Sequence, residues 1–191
     1  PIVIDAFQSI LPTIYILETR EIIGHRFLVA LINWNDDYET KKIHLSELLG
    51  KSRNFEEKYL VFDFWDKKSL GVFHLNDVLE FPRVSPHSCV YFCIIPLNKD
   101  YSNEVIFVSS DLHISQGCYE IKKFESLEND SEISLKICLP GKRFGSVYLK
   151  IPINKKVAAY DRHYEKIDEQ ENIWKFNVEI EDETTLEIKL S

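Results

Sequence analysis

The sequence predicts an all-β protein, in which a β-sandwich of antiparallel strands is followed by a second, smaller β-sandwich or β layer. Three observations support this prediction. Short apolar segments rich in β-branched and aromatic residues recur along the chain between turn residues. No segment sustains the roughly 3.6-residue apolar period of an amphipathic helix. The chain of 191 residues is 45% hydrophobic, which is enough to bury a core without disulfides or metals.

The predicted first domain, residues 1–110, contains a series of short strand-like segments. They are separated by turn residues such as Gly24, the Asn35–Asp37 cluster, Gly71 and Pro82. Short strands at this spacing favour a sandwich over alternating strands and helices. The predicted strands are Thr13–Ile22, Phe27–Trp34, Lys41–Leu45, Tyr59–Trp65, Val78–Phe81, Cys89–Ile95 and Val105–Val108.

The predicted second domain, residues 111–191, repeats this pattern. Its predicted strands are Tyr119–Phe124, Glu132–Leu139, Ser146–Ile151, Ile173–Ile180 and Thr185–Leu190. Apolar residues alternate with polar ones in two of these strands, which predicts one buried face and one solvent-exposed face. The alternating apolar residues are Ile133, Leu135, Ile137 and Leu139 in one segment and Leu186, Ile188 and Leu190 in the other.

Helix signals are weak in this chain. Ser46–Leu49 and Asp161–Glu171 could each hold a turn or two, but neither shows a sustained helical period. Asp161–Glu171 is charged enough to predict a solvated loop.

Charge and cysteine content limit the partners and the compartment. Lys and Arg number 23 against 31 Asp and Glu, so the net charge is −8, the wrong sign for a nucleic acid or an anionic membrane surface. No apolar run approaches the roughly 20 residues needed to span a bilayer. Cys89, Cys93, Cys118 and Cys138 form no Cys-x-x-Cys pair and predict reduced thiols in a cytoplasmic protein.

A polar elbow, Ser109–Gly117, follows the apolar run Val105–Val108. Gly117 can adopt a positive φ without strain, so it suits a point where the chain turns from one layer into another. Asp111 and His113, two residues apart, could serve chemistry or a structural joint. We interpret the elbow as a joint. The side chains expected to bond it together are those of Ser109, Asp111, His113 and Gln116.

No catalytic residue, metal site or cofactor is predicted at the elbow or elsewhere. The six histidines lack His-x-x-x-His spacing, and the six glycines never cluster into a phosphate-binding loop. Ser109 or Ser110 with His113 and Asp111 would need a supported turn to act as a triad.

Two further sets of residues are candidates for carbohydrate cleavage or binding. Asp63 and Asp66 could form the carboxylate pair of a glycosidase, but Asp63 is expected to bond a neighbouring backbone group. An indole packs well on the apolar face of a pyranose. Trp34 and Trp65 end predicted buried strands and are expected in the core, which leaves Trp174 as the better exposed candidate for sugar stacking, although burial in the second domain is favoured for it too.

Several motifs follow one another in a fixed order over residues 4–121. They are Ile4–Phe7, Leu11–Pro12, Val29–Asp36, Tyr59–Trp65, Leu70–Val72 and Ser109–Gly117. In order and spacing they resemble the C-terminal β region of alpha-galactosidase-like glycoside hydrolases, of the melibiase and raffinose-synthase type. Beyond Phe124 the interpretation depends on the strand pattern alone.

The resemblance implies a non-catalytic role. In enzymes of that kind a (β/α)₈ barrel carries the catalytic aspartates and the β region follows it. This chain begins about where such a barrel would end, so the resemblance implies an accessory region that packs against or stabilises a barrel supplied by the same or a separate chain. The residues that it assigns to barrel docking or to the structural motif are Asn33, Trp34, Asp63, Trp65, Asp111, His113, Gln116 and Gly117. The alternative is a stand-alone carbohydrate-binding or protein-interaction β-sandwich.

Overall fold

The computed structural model describes residues 2–5, 10–50, 57–127 and 131–191. The chain divides into two compact units. The first comprises Pro1–Thr19 and His25–Asn98, and the second comprises Arg20–Gly24 and Lys99–Ser191. The division therefore falls earlier than the boundary expected between residues 110 and 111.

The first unit is built from antiparallel strands and a short helix. These elements are β1 (Ile2–Val3), β2 (Ile14–Glu21), β3 (Gly24–Asn33), β4 (Glu39–His44), α1 (Leu45–Leu49), β5 (Lys58–Asp63), β6 (Lys68–His74), β7 (Val78–Val84) and β8 (Ser88–Leu97). Six strands form a sheet in the order β1-β2-β3-β8-β5-β6, and β4 pairs with β7 in a second sheet. The turn between β2 and β3 belongs to the second unit.

Alternate residues of the central strands form the core of the first unit. Because side chains of a strand point to opposite faces in turn, every second residue of β3, β5 and β8 reaches the same apolar cluster. These residues are Phe27, Val29, Leu31, Tyr59, Val61, Val90, Phe92 and Ile94. Leu45, Leu48 and Leu49 of α1 join the cluster, since their spacing places them on one side of the helix turn.

The second unit has its own sheet. Its elements are a 3₁₀ turn (Tyr101–Asn103) and the strands β9 (Ile106–Ser110), β10 (Ile121–Leu127), β11 (Glu132–Lys150), β12 (Val157–Ala159), β13 (Tyr164–Asp168) and β14 (Ile173–Leu190). The strand order is β10-β11-β14-β12, with β9 on β11 and β13 on β14. Strand β9, predicted as the last strand of the first domain, therefore belongs to the second unit.

Two long strands, β11 of 19 residues and β14 of 18 residues, pair along almost their whole length. Each was predicted as two separate strands, and this was wrong. The register shifts between Leu139 and Lys142, where Gly141 has a φ of +73° and donates its N–H to Asp182 Oδ1 at 2.8 Å. A bulge thus carries the ladder past Pro140, which has no N–H to donate.

The predicted alternation in the second unit is confirmed. Residues from both halves of β11 and β14 point into one core, together with Ile23 from the turn between β2 and β3. The residues predicted from their alternation, Ile133, Leu135, Ile137, Leu139, Leu186, Ile188 and Leu190, are all buried.

The all-β prediction is confirmed, but the prediction of a loop over Asp161–Glu171 was wrong in part. Asp161–Glu171, expected as a solvated loop, contains β13, which pairs with the first half of β14. Charged residues are common on edge strands, where they discourage pairing with another chain, so this composition did not distinguish a loop from an edge strand. No helix among the described residues is both long and apolar enough to cross a membrane.

Candidate functional site

The polar residues singled out in the sequence lie at three turns. The first turn follows β3 at Asn33, the second follows β5 at Asp63, and the third is the elbow Ser109–Gly117 between β9 and β10. Ile4 and Asp5 of the first motif lie beside β2, where Asp5 accepts the backbone N–H groups of Thr13 and Ile14. Ala6 and Phe7 of the same motif lie outside the described residues.

Asn33 organises the turn after β3. Its side chain is fully buried, and Nδ2 donates to the carbonyl oxygens of Asp37, Val84 and Ser85 at 2.9 to 3.1 Å. Its Oδ1 accepts the N–H of Asn35 at 2.9 Å. The amide therefore ties the β3 turn to the end of β7. Asn33, one of the residues that the resemblance assigns to barrel docking or to the structural motif, thus has a structural role in this turn.

Asp63 organises the turn after β5. The side chain is buried, and Oδ1 accepts the backbone N–H of Asp66 at 2.9 Å. Burial raises the pKa of the Asp63 carboxyl, although its hydrogen bonds to the turn oppose the shift. The predicted bond from Asp63 to a neighbouring backbone group is confirmed.

The raised pKa of Asp63 predicts a specific pH dependence of stability. A carboxyl that holds its proton more tightly when folded contributes stability that is present below its unfolded pKa, 3.8, and is lost as the pH rises through the folded pKa. Asp63→Asn keeps an acceptor for the Asp66 N–H and removes this loss. We expect the variant to unfold at a temperature equal to or above that of the wild type at pH 7, with its relative advantage shrinking towards pH 4. Thermal unfolding at both pH values checks this, and a variant that is equally destabilised at both would contradict it.

Asp111 connects the elbow to β11. Its backbone N–H donates to the Ser146 carbonyl oxygen at 3.1 Å, and its carboxylate accepts the Ser146 N–H through Oδ1 and the Tyr148 hydroxyl through Oδ2. Gly145 makes room for this approach, since a Cβ there would stand 2.6 Å from Asp111 Oδ1. Asp111 thus acts as a structural acceptor for two groups of one neighbouring strand.

Two residues of the elbow have left-handed backbone conformations. Gln116 has a φ of +53° and Gly117 a φ of +100°. Gln116 is fully buried, and its Oε1 accepts a hydrogen bond from Ser109 Oγ at 3.1 Å. At Gly117 a Cβ would lie 2.8 Å from Phe107 Cζ and 2.9 Å from Ile23 Cδ1. The predicted need for glycine at this bend is confirmed.

Glu120 is a central acceptor of the elbow that sequence analysis missed. Its side chain is fully buried, and its carboxylate accepts the Gly117 N–H at 2.8 Å and the Ser115 hydroxyl at 2.6 Å. A glutamate within the predicted strand Tyr119–Phe124 carries no sequence signal of burial, because acidic residues are mostly exposed.

His113 and Ser115 bond to one another rather than forming a triad with the preceding serines. His113 Nδ1 lies 2.9 Å from Ser115 Oγ and 3.1 Å from the Ser115 nitrogen. The imidazole is exposed and lies against the ring of Tyr119, with centroids 5.3 Å apart. The Asp111 carboxylate instead accepts hydrogen bonds from two residues of β11. The elbow is therefore a joint between two strands, β9 and β10, that both pair with β11.

Trp34 and Trp65 are placed differently from the prediction, whereas the burial favoured for Trp174 is confirmed in part. Trp34 and Trp65 are 40% and 52% exposed, whereas Trp174 is partly buried and packs against the core of the second unit. The expected core position of Trp34 and Trp65 was wrong because their strands end one and two residues earlier, at Asn33 and Asp63. Trp174 is held by its Nε1–H, which donates to Asn172 Oδ1 at 3.0 Å, and Lys166 lies over its ring.

The remaining candidate chemistry concerns thiols and metals. The four cysteines are not joined in disulfides. Among residues 2–5, 10–50, 57–127 and 131–191, no group of three or more His, Cys, Asp or Glu side chains is arranged to hold a metal ion.

No model of a known protein family matches this chain, and a comparison with curated proteins finds no match.

Proposed function

We propose that this chain is a non-catalytic C-terminal accessory region of an alpha-galactosidase-like glycoside hydrolase, which packs against or stabilises a catalytic (β/α)₈ barrel. The observation that supports this best is that the polar side chains of the motifs form structural hydrogen bonds. Asn33, Asp63 and Asp111 bond to the backbone of turns or of a neighbouring strand. Residues of this kind fix the shape of the loops that form a surface. In the enzymes that this chain resembles, the catalytic residues lie in the barrel.

The elbow supplies the most suitable contact surface for a barrel. Around the rigid Gln116–Gly117 bend, Ile114 and Tyr119 expose more than half of their surface, and the imidazole of His113 lies beside Tyr119. Interfaces between domains of one protein are partly polar and partly apolar, as this surface is. The proposed partner is therefore the catalytic barrel of the same or a separate chain.

A cytoplasmic location forms part of this proposal. Its support is the set of thiols at Cys89, Cys93, Cys118 and Cys138, none of which is oxidised to a disulfide. Disulfides are rare in reducing compartments.

The proposal is tested by looking for the gene of such a barrel and by measuring whether the barrel binds this chain. The same gene or a neighbouring one is expected to encode a (β/α)₈ barrel with two catalytic carboxylates. Produced as a separate polypeptide, that barrel should co-elute with this chain in size-exclusion chromatography and melt at a higher temperature in its presence. A Tyr119→Ala, Ile114→Ser variant should lose co-elution, while Phe144→Ser, at another exposed apolar residue, should keep it. The proposal is wrong if no such barrel is encoded there, or if the barrel neither binds the chain nor gains stability.

A second candidate is a stand-alone carbohydrate-binding or protein-interaction sandwich. The observation that favours it is the exposure of two indoles in the first unit, at Trp34 and Trp65. It would gain support if the chain were encoded with no barrel in its vicinity.

A further inference from the structure

A cleft in the first unit has the composition of a saccharide site. It encloses about 330 Å³ beside the turn after β5. Ligand pockets typically enclose about 300 to 1,000 Å³, so a single sugar ring fits the available space. Buried apolar side chains of Phe81, Val84 and Val90 line part of it, and Trp65 lies on its wall.

The indole of Trp65 is presented to solvent by packing behind it. Its ring lies edge-on to Phe64 at a centroid distance of 4.9 Å and tilted to Tyr91 at 6.4 Å. These contacts hold the ring in place while 52% of the residue stays exposed. A fixed, exposed indole is costly to leave in water and is well suited to stack on the C–H face of a sugar ring.

The Trp65 indole also has an unused donor. The Nε1–H of Trp34 donates to the Pro12 carbonyl oxygen at 2.8 Å, and that of Trp174 donates to Asn172. Among the described residues, the Nε1–H of Trp65 has no protein acceptor. This donor is therefore available to an oxygen acceptor of a ligand, such as a sugar hydroxyl.

Two of the three carboxylates that line the cleft are paired with lysines. Lys68 Nζ lies 2.6 Å from Asp66 Oδ2, and Lys42 Nζ lies 2.9 Å from Glu80 Oε2. The Asp63 carboxylate already accepts a backbone N–H of its own turn. Paired carboxylates still offer lone pairs to hydroxyl donors, but they attract a cation weakly. This arrangement suits a neutral, hydroxylated ligand better than an amine or an anion.

We propose that the cleft beside Trp65 binds a neutral pyranose saccharide, with the indole stacked on the sugar ring and the surrounding carboxylates and serine hydroxyls bonded to its hydroxyl groups. Ser85 and Ser88, which also line the cleft, supply the hydroxyls. The sugar-stacking residue is thus Trp65 rather than Trp174. The inference does not depend on the accessory role, since a barrel partner and a sugar ligand are tested by different measurements.

The test follows the indole N–H signals of the ¹⁵N-labelled chain by NMR. Each of Trp34, Trp65 and Trp174 contributes one signal, and tryptophan-to-phenylalanine variants assign them. The probes are the methyl α-pyranosides of glucose, galactose and mannose, added to about 10 mM, which would nearly saturate a site with a Kd of about 1 mM. Glycerol serves as a hydroxylated control without a ring, and ethylammonium chloride serves as a cationic control.

We expect a saturable shift of the Trp65 signal with at least one pyranoside and with neither control, while the Trp174 signal stays in place. Trp65→Ala should weaken binding, measured by calorimetry, by about tenfold or more. Trp34→Phe, a change at the other exposed indole of the unit, should leave it unchanged. The proposal is overturned if none of the three pyranosides moves the Trp65 signal saturably, if a control moves it equally, or if Trp65→Ala binds as tightly as the wild type.

Discussion

Replacing Gly117 by alanine should destabilise the second unit by about 3 kcal/mol or more. The new Cβ would lie 2.8 Å from Phe107 Cζ and 2.9 Å from Ile23 Cδ1, and the φ of +100° is strained for any residue with a Cβ. Phe107 is fully buried and packs edge-on against Phe124, so its ring cannot move aside without repacking the core. Thermal or urea unfolding of the variant measures the effect.

Gly141→Ala is the matched control for this change. Gly141 also has a positive φ, +73°, but nothing lies within 4 Å of a Cβ placed there. This variant should lose only the conformational part, about 1 kcal/mol. If both variants were destabilised equally, close packing at the elbow would not be the reason for glycine at position 117.

Replacing Asp111 by alanine should cost about 3 kcal/mol of folding free energy in the same unit. The Ser146 N–H would lose its carboxylate acceptor, and the Tyr148 hydroxyl would lose its hydrogen bond to Asp111 Oδ2. Both residues are buried, so water cannot easily replace the lost bonds. Burial, with the Asp111 charge beside it, also holds the pKa of Tyr148 well above its ordinary value. Urea unfolding followed by circular dichroism measures the change.

One variant separates the bonds of Asp111 from its charge, and a second serves as a surface control. Asp111→Asn keeps an acceptor for Ser146 and should cost about 1 kcal/mol. Asp36→Ala removes an exposed carboxylate whose partner is the exposed imidazole of His87, and it should change stability by less than about 0.5 kcal/mol. An Asp111→Ala variant as stable as the wild type would show that the elbow does not depend on this carboxylate.

The sequence predicted local features of the fold well. Alternation in Glu132–Leu139 identified the buried face of β11, because period-two patterning follows directly from strand geometry. The loop roles of Asn33 and Asp63 were also predictable, since short polar side chains at strand ends bond to nearby backbone. The requirement for glycine at position 117 followed from the same local reasoning.

Features that depend on distant residues were not predictable. Nothing in Val105–Val108 indicates that β9 pairs with β11, so the boundary between the units was expected too late. Pro140 and Gly141 resemble a strand end, whereas a bulge paired with Asp182 continues the ladder. The burial of Glu120 is set by donors that only the folded elbow brings to it.

The candidate sugar site shows how a small shift in a strand end changes a functional hypothesis. Trp65 was expected to complete β5 and lie in the core. Because β5 ends at Asp63, the indole lies in the following turn and lines a cleft. Trp174, the earlier candidate for sugar stacking, is partly buried, with Lys166 over its ring and the ring of Tyr164 at a centroid distance of 5.9 Å.

The rate of nitrophenyl alpha-galactoside hydrolysis by the purified chain tests the non-catalytic, accessory role most directly. The wild-type chain and its folded Asp111→Asn variant are compared with buffer alone. The proposed role predicts that neither exceeds the rate in buffer, because the motif carboxylates serve turns and a neighbouring strand. Turnover by the wild-type chain that Asp111→Asn abolishes, at a temperature where circular dichroism shows both proteins folded, would contradict it.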